Sequence, residues 1–252
     1  LDLTGRAALI TGASSGLGAR FARVLSGAGA SVALAARRTD RLEALAAEIT
    51  AAGGRALPLA MDVTDEASVM AGFDAAEAAL GSLDIVFANA GMNNRASAVE
   101  ITAEAWDEMM GVNVKGVFLT AREGARRMMA AGSRQHRRGR IVLIASIGAT
   151  KVLPGLTAYC ASKAAVAMMG RSLAREWANR GINVNVLCPG YIKTELNAEW
   201  FDEEGGRAQI ASFPRRRLMQ EADLDALALY LAAEESRALT GSVFTLDDGQ
   251  TL

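Results

Sequence analysis

Along the chain, short runs that are almost wholly apolar alternate with longer stretches in which apolar residues return every three or four positions. The short runs, at 7–11, 31–36, 55–61, 83–88, 141–145, 182–187 and 242–246, have the length and character of β-strands. Between them the wider spacing marks helices: one carrying Phe21, Val24, Leu25 and Ala28, then 39–50, 65–80, 102–131, 159–179 and 221–233. The run Ile141-Val142-Leu143-Ile144-Ala145 has no polar alternation, so both of its faces must be covered, as in a parallel sheet flanked by helices. Seven strands alternating with helices therefore predict an α/β fold, a doubly wound parallel sheet with helices on both faces. One domain, 1–252, is expected, because no linker, repeat or low-complexity segment divides the chain.

The junctions between these elements carry the candidate chemistry. Gly12-Ala13-Ser14-Ser15-Gly16-Leu17-Gly18 stands between the first strand and the first helix. Gly12 would allow a tight turn, Gly16 would let the backbone approach a pyrophosphate, and Gly18 would let the helix pack closely on the strand. Free N–H groups at the helix start would face the phosphates, so the turn predicts a dinucleotide site in a Rossmann-like sheet. After the second strand, an acid would hydrogen-bond a ribose 2′-hydroxyl, whereas Arg accommodates a 2′-phosphate. Ala36-Arg37-Arg38 occupies that place, which favours NADP(H) over NAD(H), with Arg37 the better candidate. Sites in open parallel sheets lie at the carboxyl ends of strands, where Ser146 closes the fifth run. Tyr159 and Lys163, four apart on a helix, share one face. A cation there favours the phenolate, so Lys163 is expected to draw Tyr159 down from its usual ~10 toward neutral. Asn113 interrupts an otherwise apolar stretch, Val112-Asn113-Val114, and needs a partner.

Taken together these motifs resemble the short-chain dehydrogenase/reductase family over essentially the whole chain. Thr11 to Gly18 matches that family's Thr-Gly-x-x-x-Gly-x-Gly, Asn89-Ala90-Gly91 its Asn-Ala-Gly turn, and Tyr159 to Lys163 its Tyr-x-x-x-Lys. The resemblance implies four catalytic residues: Ser146 orients the substrate oxygen, Tyr159 passes the proton, Lys163 lowers the Tyr159 pKa and holds the nicotinamide ribose, and Asn113 maintains a water relay. It implies cofactor contacts from Gly12, Ser14, Ser15, Gly16, Leu17, Gly18, Arg37 and Arg38. Further contacts come from Asp62 and Val63 against the adenine, from Asn89, Ala90 and Gly91, from Tyr159 and Lys163, and from Pro189, Gly190, Ile192 and Thr194 beside the nicotinamide. A variable substrate lid is expected across 191–217, carrying Leu196, Trp200, Phe201 and Phe213.

The reaction so implied is reversible hydride transfer between NADP(H) and a carbonyl/secondary alcohol pair, that is, a ketone reductase or alcohol dehydrogenase. Resemblance also implies a homotetramer formed through the long helices that include Asn113 and Tyr159. Two alternatives stand beside this reading: a 3-oxoacyl-thioester reductase of the same family and a non-catalytic NADP-binding sensor. For the thioester reductase the only hint is two basic clusters, Arg134, Arg137, Arg138 and Arg140, and Arg215-Arg216-Arg217.

Composition narrows the partners. A formal net charge of −1 over 252 residues and a pI near 6.0 provide no global field for nucleic acid, and 51% hydrophobic residues argue against disorder. No charged leader with an apolar signal region precedes the first strand, and no run of eighteen apolar residues occurs, so a soluble, cytoplasmic protein with no membrane partner is expected. The single histidine, His136, lies in a basic stretch and is read as exposed. Cys160 and Cys188 are read as reduced thiols near the site, so a disulfide framework, a His-based triad and a metal site are not expected. The partners left are a small carbonyl or alcohol substrate and other copies of the chain.

Overall fold

The computed structural model describes residues 1–194 and 197–252. Its strands are β1 (Ala7–Thr11), β2 (Ser31–Ala36), β3 (Arg55–Ala60), β4 (Ile85–Ala88), β5 (Gly139–Ile144), β6 (Ile182–Pro189) and β7 (Val243–Leu246). They form one sheet in the order β3-β2-β1-β4-β5-β6-β7, and every neighbouring pair is parallel. Parallel neighbours need crossovers, and these are made by α1 (Gly16–Gly27), α2 (Thr39–Ala51), α3 (Glu66–Leu80), α4 (Ala103–Met110), α5 (Val117–Ala130), the short α6 (Ser133–His136) and α7 (Thr157–Trp177). Beyond β6 come α8 (Ala198–Asp202), α9 (Glu204–Ser212) and α10 (Asp225–Ala232). The doubly wound sheet expected from the hydrophobic pattern is the fold of this chain.

Successive strand residues point to opposite faces, so the sheet feeds two cores. Ala8 and Ile10 of β1, Val32 and Leu34 of β2 and Phe87 of β4 pack with Phe21 and Leu25 of α1 and Leu42 and Leu45 of α2. The alternate residues Leu9, Ala33, Ala35 and Val86 pack on the other side with Val69 and Phe73 of α3, Leu119 and Ala125 of α5 and Val166 and Leu173 of α7. Each fully buried large side chain contributes about 1.5–3 kcal/mol, which makes the sheet a rigid floor for the loops above it. The strand order reverses between β1 and β4, and a crevice opens at the carboxyl ends of strands at such a point.

One element departs from the periodicity. The helix expected over 102–131 is composite: α4 and α5 are joined by a π-helical turn, Gly111–Gly116, that holds Asn113. A π turn widens the helix by one residue, which the spacing of apolar positions cannot register; such turns recur at functional sites. The helix expected over 221–233 likewise begins as a 3₁₀ turn, Glu221–Leu224, before α10. Among the described residues, no helix is long and apolar enough to cross a membrane.

Candidate active site

β1 runs into the glycine-rich turn, and the turn is tied to the end of β4. Thr11 Oγ1 accepts hydrogen bonds from the Asn89 and Ala90 backbone N–H groups at 3.0 and 3.1 Å, and Asn89 Nδ2 donates to the Thr11 carbonyl at 2.9 Å. Glycine is required for this closeness. A Cβ at Gly18 would stand 2.2 Å from the Gly12 carbonyl oxygen, and one at Gly12, where φ is +68°, would stand 2.9 Å from Ala90 Cα. Gly16 differs: φ is +51°, yet an added Cβ would meet nothing nearer than Thr194 Cγ2 at 3.8 Å, so the space before it is open. Ser15 precedes α1 without capping it by its side chain, which leaves first-turn N–H groups available to an anion.

Both arginines lie at the rim of this turn. Arg38 Nη2 donates to Ser14 Oγ at 3.0 Å and to Ser15 Oγ at 2.8 Å, so Arg38 is the one seated over the turn. Arg37 is exposed. Asp62 accepts from the Thr64 N–H and hydroxyl at 2.9 and 2.8 Å; these bonds, with a smaller pull from Arg37, hold its carboxyl below the ordinary carboxylate range. Val63 is buried beside it, where a Cβ at Gly116 would come within 2.7 Å of its Cγ2. An open glycine turn and free helix amides fit the pyrophosphate of a dinucleotide.

Ser146 leaves the carboxyl end of β5, where its Oγ accepts from the Gly148 N–H at 3.1 Å and its hydroxyl acts on the Tyr159 phenol, favouring the phenolate. One helical turn beyond Tyr159, the buried Lys163 Nζ lies 5.6 Å from the centre of the Tyr159 ring and donates to the Ile144 carbonyl at 3.0 Å. Burial pushes the phenol up to about 12, against the opposing pull of the Ser146 hydrogen bond, and pushes the ammonium down to about 8. Desolvation is the largest influence on the phenol, and the ammonium expected to draw it toward neutral is bonded to the Ile144 carbonyl.

Asn113 is fully buried. Its Oδ1 accepts from Met92 N–H at 2.8 Å, while Nδ2 donates to the Met92 carbonyl at 2.9 Å and to Ser162 Oγ at 3.0 Å. Ser162 in turn donates to the Tyr159 carbonyl at 2.7 Å. The side chain therefore braces the loop after β4 against α7, with both amide donors engaged. A Cβ at Gly91 would lie 3.4 Å from both Asn113 Oδ1 and Lys163 Nζ.

After β6, Tyr191 N–H donates to Gln250 Oε1 at 2.6 Å, and Gly190 N–H to the Leu246 carbonyl at 2.9 Å. Ile192 is buried and bridges to Met219. Asn197 clamps the next residues, accepting from Thr194 N–H at 2.8 Å and donating to the Ile192 carbonyl at 2.9 Å. Leu196, expected in the lid, lies outside the described residues. Tyr191 packs edge-on against Phe201 at 5.6 Å and stacks on Phe213 at 5.8 Å. Trp200 Nε1 donates to Gln209 Oε1 at 2.8 Å, and the Arg95 guanidinium lies 3.8 Å over the Trp200 ring.

The sequence matches the short chain dehydrogenase family over residues 6–205. The chain belongs to that family. It is 36% identical over 250 residues to a D-threitol dehydrogenase of Mycolicibacterium smegmatis, covering 99% of this chain and 94% of that protein. It is 35% identical over 252 residues to a gluconate 5-dehydrogenase of Gluconobacter oxydans, covering 100% and 96%. Among solved structures it superposes, with a TM-score of 0.93 and 35% identity, on a gluconate 5-dehydrogenase from Burkholderia cenocepacia in complex with NADP and tartrate, covering 99% of this chain and 96% of that one. It is accordingly an oxidoreductase.

In this short-chain dehydrogenase neither basic cluster converges on the site. Arg140 is buried at the start of β5, the end opposite Ser146, and donates to the Ala233 carbonyl and Ser236 Oγ, both at 3.2 Å. Arg138 meets Asp84 at 3.4 Å, and His136 is exposed. Arg215 and Arg217 both pair with Asp248, at 3.2 and 2.7 Å. The hint toward a thioester substrate is thereby lost. Cys188 is buried and Cys160 half-buried, both free thiols, and burial pushes Cys188 up against the Ser146 backbone bond and the Lys163 charge. Sequence reasoning missed Arg95, Ser162, Asn197 and Gln209. Only the position of Arg95, in the loop just after Asn89-Ala90-Gly91, offered a signal, since loops at strand carboxyl ends build such sites.

Proposed function

We propose that this enzyme is an NADP(H)-dependent ketone reductase and secondary-alcohol dehydrogenase. The observation that carries the reading is Ser146 at the carboxyl end of β5 beside Tyr159, with the buried Lys163 Nζ 5.6 Å from the centre of the Tyr159 ring. The turn from Gly12 to Gly18 and the first-turn amides of α1 would hold the pyrophosphate, Arg37 and Arg38 a 2′-phosphate, and Ile192 and Thr194 the nicotinamide. When bound, NADP(H) supplies or accepts the hydride. Ser146 donates a hydrogen bond to the substrate oxygen and fixes its position. Tyr159, pushed up to about 12, keeps its proton at neutral pH and is therefore the acid that protonates that oxygen during reduction. Lys163 stands close enough to stabilise the phenolate left behind.

Relatives named for threitol and gluconate support a small, hydroxyl-rich alcohol as the substrate. The exposed Phe118 of α5 and Met168 of α7 support a homotetramer assembled through those helices.

The test is consumption of NADPH and NADH against a panel of ketoses, simple ketones, keto esters and 3-oxoacyl thioesters, with the wild type and Tyr159→Phe. The expected result is NADPH preferred at least about tenfold in kcat/KM, and a fall of about 10²–10⁴ in kcat for Tyr159→Phe at unchanged Tm. Near-normal turnover in the folded variant would sink the acid role. Equal use of NADH would remove the assignment of Arg37 and Arg38.

A further inference from the structure

Arg95 is a cation without a counter-ion at the mouth of the site. Among the described residues it forms no hydrogen bond or ion pair, and its guanidinium lies over the face of Trp200 at 3.8 Å. Arg95 is exposed, but it does not stand alone on the surface. The backbone beside it is pinned, with Ala96 N–H donating to the Gly155 carbonyl at 3.2 Å, and a Cβ at Gly155 would lie 3.5 Å from Arg95 Nε. The Trp200 platform is itself held by its 2.8 Å bond to Gln209. A guanidinium attracted to an aromatic face keeps its five N–H donors for another partner.

The place matters as much as the charge. Arg95 comes from the loop after β4, Gly155 from the loop after β5 that leads into Tyr159, and Trp200 from α8 after β6. These three loops leave the carboxyl edge of the sheet side by side, at the edge where Ser146 ends β5. The Tyr191 phenol lies within electrostatic reach of both Arg95 and Tyr159, which puts Arg95 one aromatic residue away from the reacting group. Other cations nearby are committed: Lys193 to Asp202 at 2.6 Å, Lys163 to the Ile144 carbonyl, and Arg215 and Arg217 to Asp248.

Resting on the proposed carbonyl/alcohol chemistry, we infer that Arg95 anchors a carboxylate of the substrate, so that this enzyme acts on hydroxy and oxo acids whose reacting carbon is presented to Ser146 and Tyr159. One planar guanidinium fork matches the two oxygens of a carboxylate, and the phosphate arm of the test separates that ligand from a phosphate. The Trp200 face covers one side of that guanidinium, which strengthens its pairing with an anion.

The test uses Tyr159→Phe protein saturated with NADP⁺, in which ligands bind without turnover, and calorimetric titration with D-gluconate, with D-sorbitol as its neutral counterpart and with D-sorbitol 6-phosphate. The expected result is gluconate binding at least tenfold tighter than sorbitol. Adding Arg95→Gln should erase that difference, and Arg95→Lys should restore part of it. Arg134→Gln, far from the site, should preserve it. Equal affinities for gluconate and sorbitol, no gluconate binding, tighter binding of the phosphate than of the carboxylate, or equal weakening of both ligands by Arg95→Gln would each overturn the inference. The oxidoreductase reading is judged separately: Tyr159-dependent NADPH turnover of neutral ketones with no carboxylate preference removes only the anchor, whereas no turnover of any carbonyl compound removes the reading beneath it.

Discussion

Lys163 shows how a functional residue burdens the fold that carries it. It is 4% exposed, and burial pushes its ammonium from an ordinary 10.5 down to about 8. Below pH 8 the folded and unfolded chains both hold the proton, and the folded chain bears the whole desolvation penalty, on the order of 3 kcal/mol at about 1.4 per pH unit. Between about pH 8 and 10.5 the folded state releases the proton first, so this group's contribution to stability rises with pH. Tyr159, pushed up to about 12, acts in the opposite sense only above pH 10, where the unfolded phenol ionises first. Lys163→Met should therefore lose the rising limb between pH 8 and 10, as read by urea unfolding at pH 7.5, 9 and 10; a limb of unchanged height in the variant would contradict this. The pH 7 stability alone is a poor readout, because the variant also strands the Ile144 carbonyl, at about 1–3 kcal/mol. The spacing of Tyr159 and Lys163 was legible along the chain. The direction of their pKa shifts was not, since it depends on how much water the folded chain excludes.

Among the elements, the junction of β1, α1 and the loop after β4 was the most legible, because close backbone approach demands glycine at particular positions. Two substitutions in the same helix separate that demand from general helix preference. Gly18→Ala would place a methyl 2.2 Å from the Gly12 carbonyl oxygen and 2.6 Å from Asn89 Nδ2. Neither neighbour is the loose end of a long side chain, so α1 must shift, at about 1–3 kcal/mol, with NADPH affinity falling as the turn is displaced. Gly27→Ala, at the other end of α1, meets nothing within 4 Å and should stabilise by about 0.5–1 kcal/mol with no effect on binding. Thermal melts and NADPH titration of both variants check the pair; a Gly18→Ala protein as stable as wild type would refute the packing argument. The π turn at Gly111–Gly116 lay beyond sequence reasoning. Its cause is distant: Asn113 turns inward to bond Met92 and Ser162, and the helix widens where that side chain enters.

At the scale of the molecule, the two ends of the sheet have divided their tasks. The carboxyl ends gather Ser146, Tyr159, the glycine turn and Arg95, whereas the amino ends hold Asp84 paired with the buried Arg6 and the partly exposed Arg138, and the buried Arg140 paired with Glu234. The outer faces of α5 and α7 keep large apolar side chains in water: Met168 is 62% exposed and Phe118 36%. If four chains assemble there, Met168→Asp should split the assembly while each chain stays folded, and light scattering should show the mass falling from four times 26.4 kDa. An unaltered wild-type mass near 26.4 kDa would refute the tetramer. The sequence by itself determined which elements form, their order, and the motif residues at their junctions, because strand and helix periodicities and turn sterics act over a few neighbouring residues. Tertiary structure alone decided that Arg95 meets Trp200, that Arg138 and Arg140 are engaged at the amino ends of the strands and Arg215 and Arg217 with Asp248, and that burial pushes the Tyr159 phenol up. Each of those outcomes depends on distances between residues remote in the chain and on the water that their packing removes.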